Sequence, residues 1–259
     1  MIDHISTKKA FGITILSLLL SGILTYGTIL FFQKGERFFL ANYVGLFLGE
    51  LFLIIPAIIF LSGKINLRSS LRINPIPHKI IVTTVVMSFG LSILADELDR
   101  IIAIILPPPD FLIQIVHSLK AEDTTSLILI FLGGVLLAAV SEELLFRGFL
   151  QQILEKQWAD ITKAVLVTSL FFAVIHMNPW WIIQIYLMGV ILGFLAWRTN
   201  SVFPCIIFHG INNGLAFAYT NFGDSIESWY LWKGHVSPIL LICAIILTFL
   251  GFKHLAIEK

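Results

Sequence analysis

The chain has 259 residues, 58% of them hydrophobic and 13% charged, with a formal net charge of +1 at pH 7. Ordinary soluble domains are about 45–50% apolar and about 25% charged, so this balance is that of a polytopic membrane protein, and the near-zero charge carries no nucleic-acid footprint. The two cysteines, Cys205 and Cys243, both sit inside apolar runs, which excludes a disulfide framework and a thiolate-rich zinc site.

On the criterion of about 20 apolar residues per crossing, the sequence predicts about eight helical spans. They cover approximately 11–32, 38–61, 78–94, 126–154, 161–177, 180–197, 202–221 and 236–252. The first run follows Lys8-Lys9 and ends without a small-x-small cleavage pattern, so it reads as a retained helix rather than a signal peptide. The expected fold is all-α: a single integral membrane domain over 1–259, a polytopic helical bundle embedded in the lipid bilayer. Residues 126–221 hold the spans with the informative polar residues, and 1–125 supply N-terminal transmembrane helices and an extracytoplasmic loop.

That loop, between the third and fourth spans, is the longest connection expected. Ala95-Asp96-Glu97-Leu98-Asp99-Arg100 and Pro107-Pro108-Pro109-Asp110 bracket a short apolar piece, and Glu122 and Asp123 add to its acidity. It reads as an interfacial segment stopped by prolines, with a substrate lid as the alternative. Lys8, Lys9, Lys64, Arg68, Arg72, Lys79, Lys156, Lys163, Arg198, Lys253 and Lys259 fall on one side if the spans alternate. Only Lys34, Arg37, Arg100, Lys120 and Lys233 fall on the other. The positive-inside rule then places both termini in the cytoplasm, and the compact loops suggest a bacterial plasma membrane.

The fourth span carries the informative polar residues. Ser141-Glu142-Glu143-Leu144-Leu145-Phe146-Arg147 follows a long apolar run, and charged side chains at bilayer depth cost at least about 2.5–3.5 kcal/mol each, which marks a functional site by default. Glu143 and Arg147 share a helical face with the acid on the N-terminal side, the better order for an ion pair. Glu142 points elsewhere, toward a face with Val135, Ala138 and Ala139 that is small enough to admit another helix, a water or a metal. Glu143 is therefore expected to be held by Arg147, and Glu142 to be free for chemistry.

Two later helices add imidazoles. The fifth span ends Phe171-Phe172-Ala173-Val174-Ile175-His176-Met177-Asn178-Pro179, and the seventh contains Phe208-His209-Gly210-Ile211-Asn212-Asn213-Gly214, with His209 and Asn213 on one face. Two carboxylates, two imidazoles and an amide on three helices satisfy one another most cheaply around a water or a divalent ion. Counted along each span, however, His176 lies near the far end of the fifth helix, away from Glu142. Glu50, in mid-span, reads either as a proton relay or lid contact, or as a protonated packing residue. His4, His78, His117, His235 and His254 lie at helix ends, outside the expected site. Ser141 has no base arrangement for a serine protease.

Glu142-Glu143-x-x-x-Arg147, Phe172-x-x-x-His176 and His209-x-x-x-Asn213, in this order on successive membrane helices, resemble the signature motifs of the CAAX protease and bacteriocin-processing enzyme (CPBP, or Abi) family. That family includes the type II CAAX prenyl endopeptidases. The resemblance covers about 126–221, the implied catalytic core, and implies an intramembrane endopeptidase, either a metalloendopeptidase or one that uses a glutamate-activated water without an obligatory metal, with Glu142, Glu143, Arg147, His176, His209 and Asn213 at its active site. It implies that Glu142 and His176 activate a water, and that His209 and Asn213 bind metal or stabilise an oxyanion. A divalent metal, zinc by preference, would be held by Glu142, His176 and His209, a His/His/Glu set that leaves one position for water. The implied partner is a protein or peptide substrate at the membrane, prenylated or not. The alternatives are a non-catalytic adaptor or bacteriocin self-immunity protein, and a proton-coupled transporter, which would show inverted repeats and broken helices.

Overall fold

The computed structural model describes residues 4–32, 38–62 and 66–257. Of the residues used above, Lys34, Arg37, Lys64 and Lys259 lie outside the described residues, as does the side chain of His117. The chain is a bundle of helices: α1 (Thr7–Phe32), α2 (Phe38–Leu53), α3 (Ile55–Leu61), α4 (Leu67–Ser70), α5 (His78–Ile105) and α6 (Asp110–Ser118). These are followed by α7 (Thr124–Trp158), α8 (Ile161–Ile175), α9 (Ile182–Thr199) and α10 (Phe203–Tyr230). A two-stranded hairpin, β1 (Leu231–Trp232) and β2 (His235–Val236), then leads into α11 (Pro238–Ile257).

All eight expected spans fall in helices. Among the described residues, six helices are long and apolar enough to cross a membrane, rather than eight. The fifth expected span, α8, has only 15 residues. The seventh, α10, has 28, but Asn212, Asn213, Asp224 and Glu227 dilute its apolar character.

The acidic stretch read as a loop is corrected by the structure, because Ala95 to Arg100 continue α5. Its charges are accommodated by pairing. Arg100 Nε donates to Asp96 one turn earlier at 2.9 Å, Tyr230 donates its hydroxyl to the same carboxylate at 2.9 Å, and Glu97 accepts from His235 Nδ1 at 2.7 Å and from the Val236 amide at 2.8 Å. The hairpin that supplies His235 turns through Lys233 (φ 52) and Gly234 (φ 85), two positive φ angles in succession as a type I′ turn demands. The prolines after Ile105 end α5 and set off the nine-residue α6, because a proline cannot donate to a continuing helix.

Helix α7 is the axis of the molecule. Asp123 caps it by accepting from the Ser126 amide at 2.7 Å. Two π-helical stretches, Phe131–Leu137 and Leu144–Gln151, flank the α-helical turn Ala138–Glu143. Such widened turns leave carbonyls without their usual partner and gather at functional sites. At its far end α7 stops at Ala159, in the left-handed conformation, and Asp160 caps α8 by accepting from the Lys163 amide at 2.9 Å. The two-residue turn makes α7 and α8 antiparallel neighbours.

The same end of the bundle is closed by residues 66–77. Arg72, buried and at φ 52, pairs both guanidinium ends with Glu155 of α7, while its carbonyl accepts from the Val202 amide at 3.0 Å. Ser201 Oγ donates to the Asn74 carbonyl at 2.6 Å, and Asn74 Nδ2 donates to the Asn200 carbonyl at 2.7 Å. Gly148 lets this segment seat, since a Cβ there would lie 2.7 Å from the Leu71 carbonyl oxygen.

Candidate active site

The turn Ala138–Glu143 lies at mid-length of α7. Its small face does admit a helix: α10 packs there, with Gly210 opposite Ala139 and Gly214 opposite Val135, each within 3.7 Å of a position a Cβ would take. This close approach places His209 against Glu143.

Glu143 is fully enclosed and carries two cationic or ring partners on one oxygen. Its Oε1 accepts from Arg147 Nη1 at 2.8 Å, the i,i+4 pair expected from the sequence, and from His209 Nδ1 at 2.9 Å. Arg147 is equally enclosed; its Nη2 donates to the Gly189 carbonyl of α9 at 3.3 Å, and its guanidinium lies 4.3 Å over the Phe172 ring. One turn further along α7, Gln151 Nε2 donates to the Gly193 carbonyl at 2.9 Å, so α7 leans on two successive glycine turns of α9. A buried ion pair needs such additional hydrogen bonds to offset its desolvation.

Phe172 organises the other half of the site. Its ring lies 4.8 Å from the His176 ring and 6.0 Å from the His209 ring, both edge to face, so the two imidazoles flank one aromatic. His176 Nδ1 donates to the Phe172 carbonyl at 2.7 Å. The Nδ1 proton is thereby assigned by its partner, and a neutral His176 presents a lone pair at Nε2.

The expectation that His176 lies far from Glu142 is corrected. Glu142 stands between four and five turns, roughly 24 Å, before the end of α7, and His176 stands between four and five turns, roughly 22 Å, after the start of α8. Across the short turn at 159–160 these are equal depths. His176 and His209 interact electrostatically, as do Glu142 and His209. His176 is exposed at the end of its helix, and Glu142 is partly exposed with Oε2 enclosed and lacking a hydrogen-bond partner among the described residues.

Asn213, one turn beyond His209, donates Nδ2 to the Gly134 carbonyl at 3.1 Å. Gly134 lies in the first π-helical stretch, so the amide takes up a carbonyl of the widened turn and keeps one N–H in reserve. Glu50 joins the site from α2: its Oε2 lies 2.7 Å from Ser141 Oγ, and its carboxyl interacts electrostatically with Glu142. Sequence reading left Glu50 between a relay or lid contact to the site and a packing residue, and it missed the carbonyls of Gly134 and Gly189 altogether, because a main-chain acceptor carries no residue-type signal.

The donors have the chemistry of metal ligands in one respect. Each imidazole is anchored through Nδ1 with Nε2 left over, which is how metal-bound histidines are held. As arranged, however, no three His, Cys, Asp or Glu side chains among the described residues converge as a metal-binding group.

No curated protein and no solved structure matches the chain. Residues 124–215 match the family model described as Rce1-like, type II CAAX prenyl endopeptidase. That segment contains Glu142, Glu143, Arg147, His176, His209 and Asn213, and supports the resemblance carried by the motifs. The likeness to type II CAAX prenyl endopeptidases extends over this segment alone.

Proposed function

We propose that the chain is an intramembrane endopeptidase that hydrolyses a peptide bond of a membrane-associated protein or peptide, using water activated by Glu142 and His176. The observation that carries this reading is the pairing of two anchored imidazoles with one unanchored carboxylate. Glu143 is committed to Arg147 and His209, whereas Glu142 Oε2 has no hydrogen-bond partner among the described residues and its side chain is partly open.

In this mechanism a water donates one hydrogen bond to Glu142 and the other to the lone pair of His176 Nε2. Attack on the scissile carbonyl transfers the water's proton to Glu142. Charge develops on the carbonyl oxygen, where the remaining N–H of Asn213 and the Nε2 side of His209 serve as donors. In this mechanism His209, whose Nδ1 is hydrogen-bonded to Glu143, donates from Nε2 as an imidazolium. Preorganised donors of this kind are each worth roughly 10²–10³ in turnover.

Zinc held by Glu142, His176 and His209 is a separate proposal, supported by the anchored imidazoles alone. The test is peptidase activity and metal content of the purified protein, wild type beside Glu142→Ala, His176→Ala and His209→Ala. The reading predicts loss of cleavage in all three with the fold retained. Zinc near stoichiometry, lost with cleavage in the variants, adds the metal. Undiminished cleavage by any one variant contradicts the assignment.

A further inference from the structure

Peptide hydrolysis needs two proton transfers, one away from water and one to the departing nitrogen. The residues assigned so far supply the first. His176 presents a lone pair at Nε2, Glu143 is enclosed, and Asn213 and His209 face the oxyanion. None of the residues of segment 124–215 given a role so far supplies a separate acid for the nitrogen.

Helix α2 brings one. The glycine pair Gly133-Gly134 opens α7 to it: a Cβ on Gly133 would lie 3.2 Å from Phe47 Cα and 3.3 Å from Phe47 N, so the backbone of α2 rests on the first π-helical stretch. One turn beyond Phe47, Glu50 reaches the α-helical turn that carries Glu142. It is partly exposed, and it interacts electrostatically with Glu142.

The hydrogen bonding of Ser141 indicates where a proton resides. Its Oγ lies 2.8 Å from the Leu137 carbonyl oxygen and 2.7 Å from Glu50 Oε2, and Ser141 is buried. A hydroxyl has a single proton. When that proton serves the carbonyl four residues back, the common habit of a helical serine, the short contact to Glu50 requires a proton on the carboxyl. Glu50 is then a carboxylic acid held in place by Ser141, with its other oxygen unassigned, beside the residue that activates water.

We propose that Glu50 is the general acid of the reaction, delivering a proton to the amine leaving group while Glu142 takes one from water. This rests on the peptidase reading above and extends the active site to α2. The step balances: the water oxygen bonds to the carbonyl carbon as Glu142 gains a proton. The C–N bond then breaks as Glu50 gives its proton to nitrogen, releasing a carboxylic acid and an amine. The proton on Glu142 then passes to Glu50 and restores both groups without an outside reagent.

The dependence of rate on the leaving group separates an acid from a structural residue. A peptide cleaved by the wild type is compared with its analogue carrying a nitrophenyl ester at the scissile position, whose leaving group departs without protonation. Both are tested on wild type, Glu50→Gln, Glu50→Asp and Glu142→Gln, with melting curves as a check on folding. Gln keeps a donor for Ser141 but has no proton to transfer.

The expected result for Glu50→Gln is a fall of roughly 10²–10⁴-fold in kcat on the peptide, the usual worth of a general acid. Ester hydrolysis should change by less than about threefold, because that step no longer draws on the acid. Glu50→Asp, which retains a transferable proton, should recover part of the peptide activity. Glu142→Gln should lose both reactions. Equal losses on peptide and ester in Glu50→Gln overturn the proposal in favour of a packing role. No loss on either overturns it in favour of Glu142 returning its own proton. Undiminished activity of Glu142→Gln on both substrates instead removes Glu142 as the residue that activates water, and this proposal with it.

Discussion

Replacing Arg147 by methionine removes the cation from a site where everything else stays enclosed. Met approximates the length of the arginine stem, so the loss is chiefly electrostatic. Glu143, with neither oxygen open to solvent, keeps only its bond to His209, and the Gly189 carbonyl loses a donor. Leaving an uncompensated charge in a buried pair costs about 3–5 kcal/mol. The Phe172 ring also loses its overlying guanidinium. For a chain of this size a kilocalorie moves Tm by about 2–4 °C, so the midpoint in detergent should fall on the order of 10 °C. The double variant Glu143→Gln with Arg147→Met removes both charges and should recover at least half of the loss, because the penalty lies in the orphaned carboxylate. Differential scanning fluorimetry on the three proteins decides it. A drop below about 2 °C in Arg147→Met, or a double variant no more stable than the single one, would refute the reasoning.

Three further outcomes follow from the same geometry. Phe172→Leu keeps an apolar side chain in a fully buried position but removes the ring that both imidazoles flank, so turnover should fall roughly 10²-fold in a peptidase assay while the cavity and the lost cation–π contact lower Tm by only a few degrees. Gly189→Ala places a Cβ 3.0 Å from that of Ser169 and 3.4 Å from Arg147 Nη2, and should cost about 1–3 kcal/mol through forced separation of α8 and α9, read as a lower Tm. Arg72→Ala removes the clasp between residues 66–77 and Glu155; it should cost about 3 kcal/mol and expose that segment to limited proteolysis, with new cleavage sites mapped by mass spectrometry. An unchanged proteolytic pattern would show that Asn74 and Ser201 hold the segment by themselves.

The sequence made the helices legible because a membrane span announces itself by length and hydropathy, without reference to its neighbours. Glu143 and Arg147 were legible as a pair for a similar reason, since an i,i+4 spacing is local. What escaped was set by tertiary contacts. The helicity of residues 95–100 depends on Tyr230, His235 and the Arg100 pair taking up charges that otherwise read as a loop. The depth of His176 follows from the two-residue turn at 159–160 and from α7 continuing past 154, both boundary details that hydropathy blurs. The π-helical stretches have no compositional signature; they are visible only where Asn213 takes up the Gly134 carbonyl. Arg72 and Glu155 are 83 residues apart; Arg72 was counted merely as loop charge, and Glu155 was not singled out.

The central claim is that Glu142 activates water for peptide hydrolysis, and the most direct measurement is cleavage of a membrane-reconstituted peptide library by the purified wild type and by Glu142→Gln. Mass spectrometry reads the new C-termini, and H₂¹⁸O supplies the label. The account predicts defined cleavage positions that carry one solvent-derived oxygen in the wild type and none in the variant at matched folding. Cleavage of equal rate and position by Glu142→Gln would contradict it.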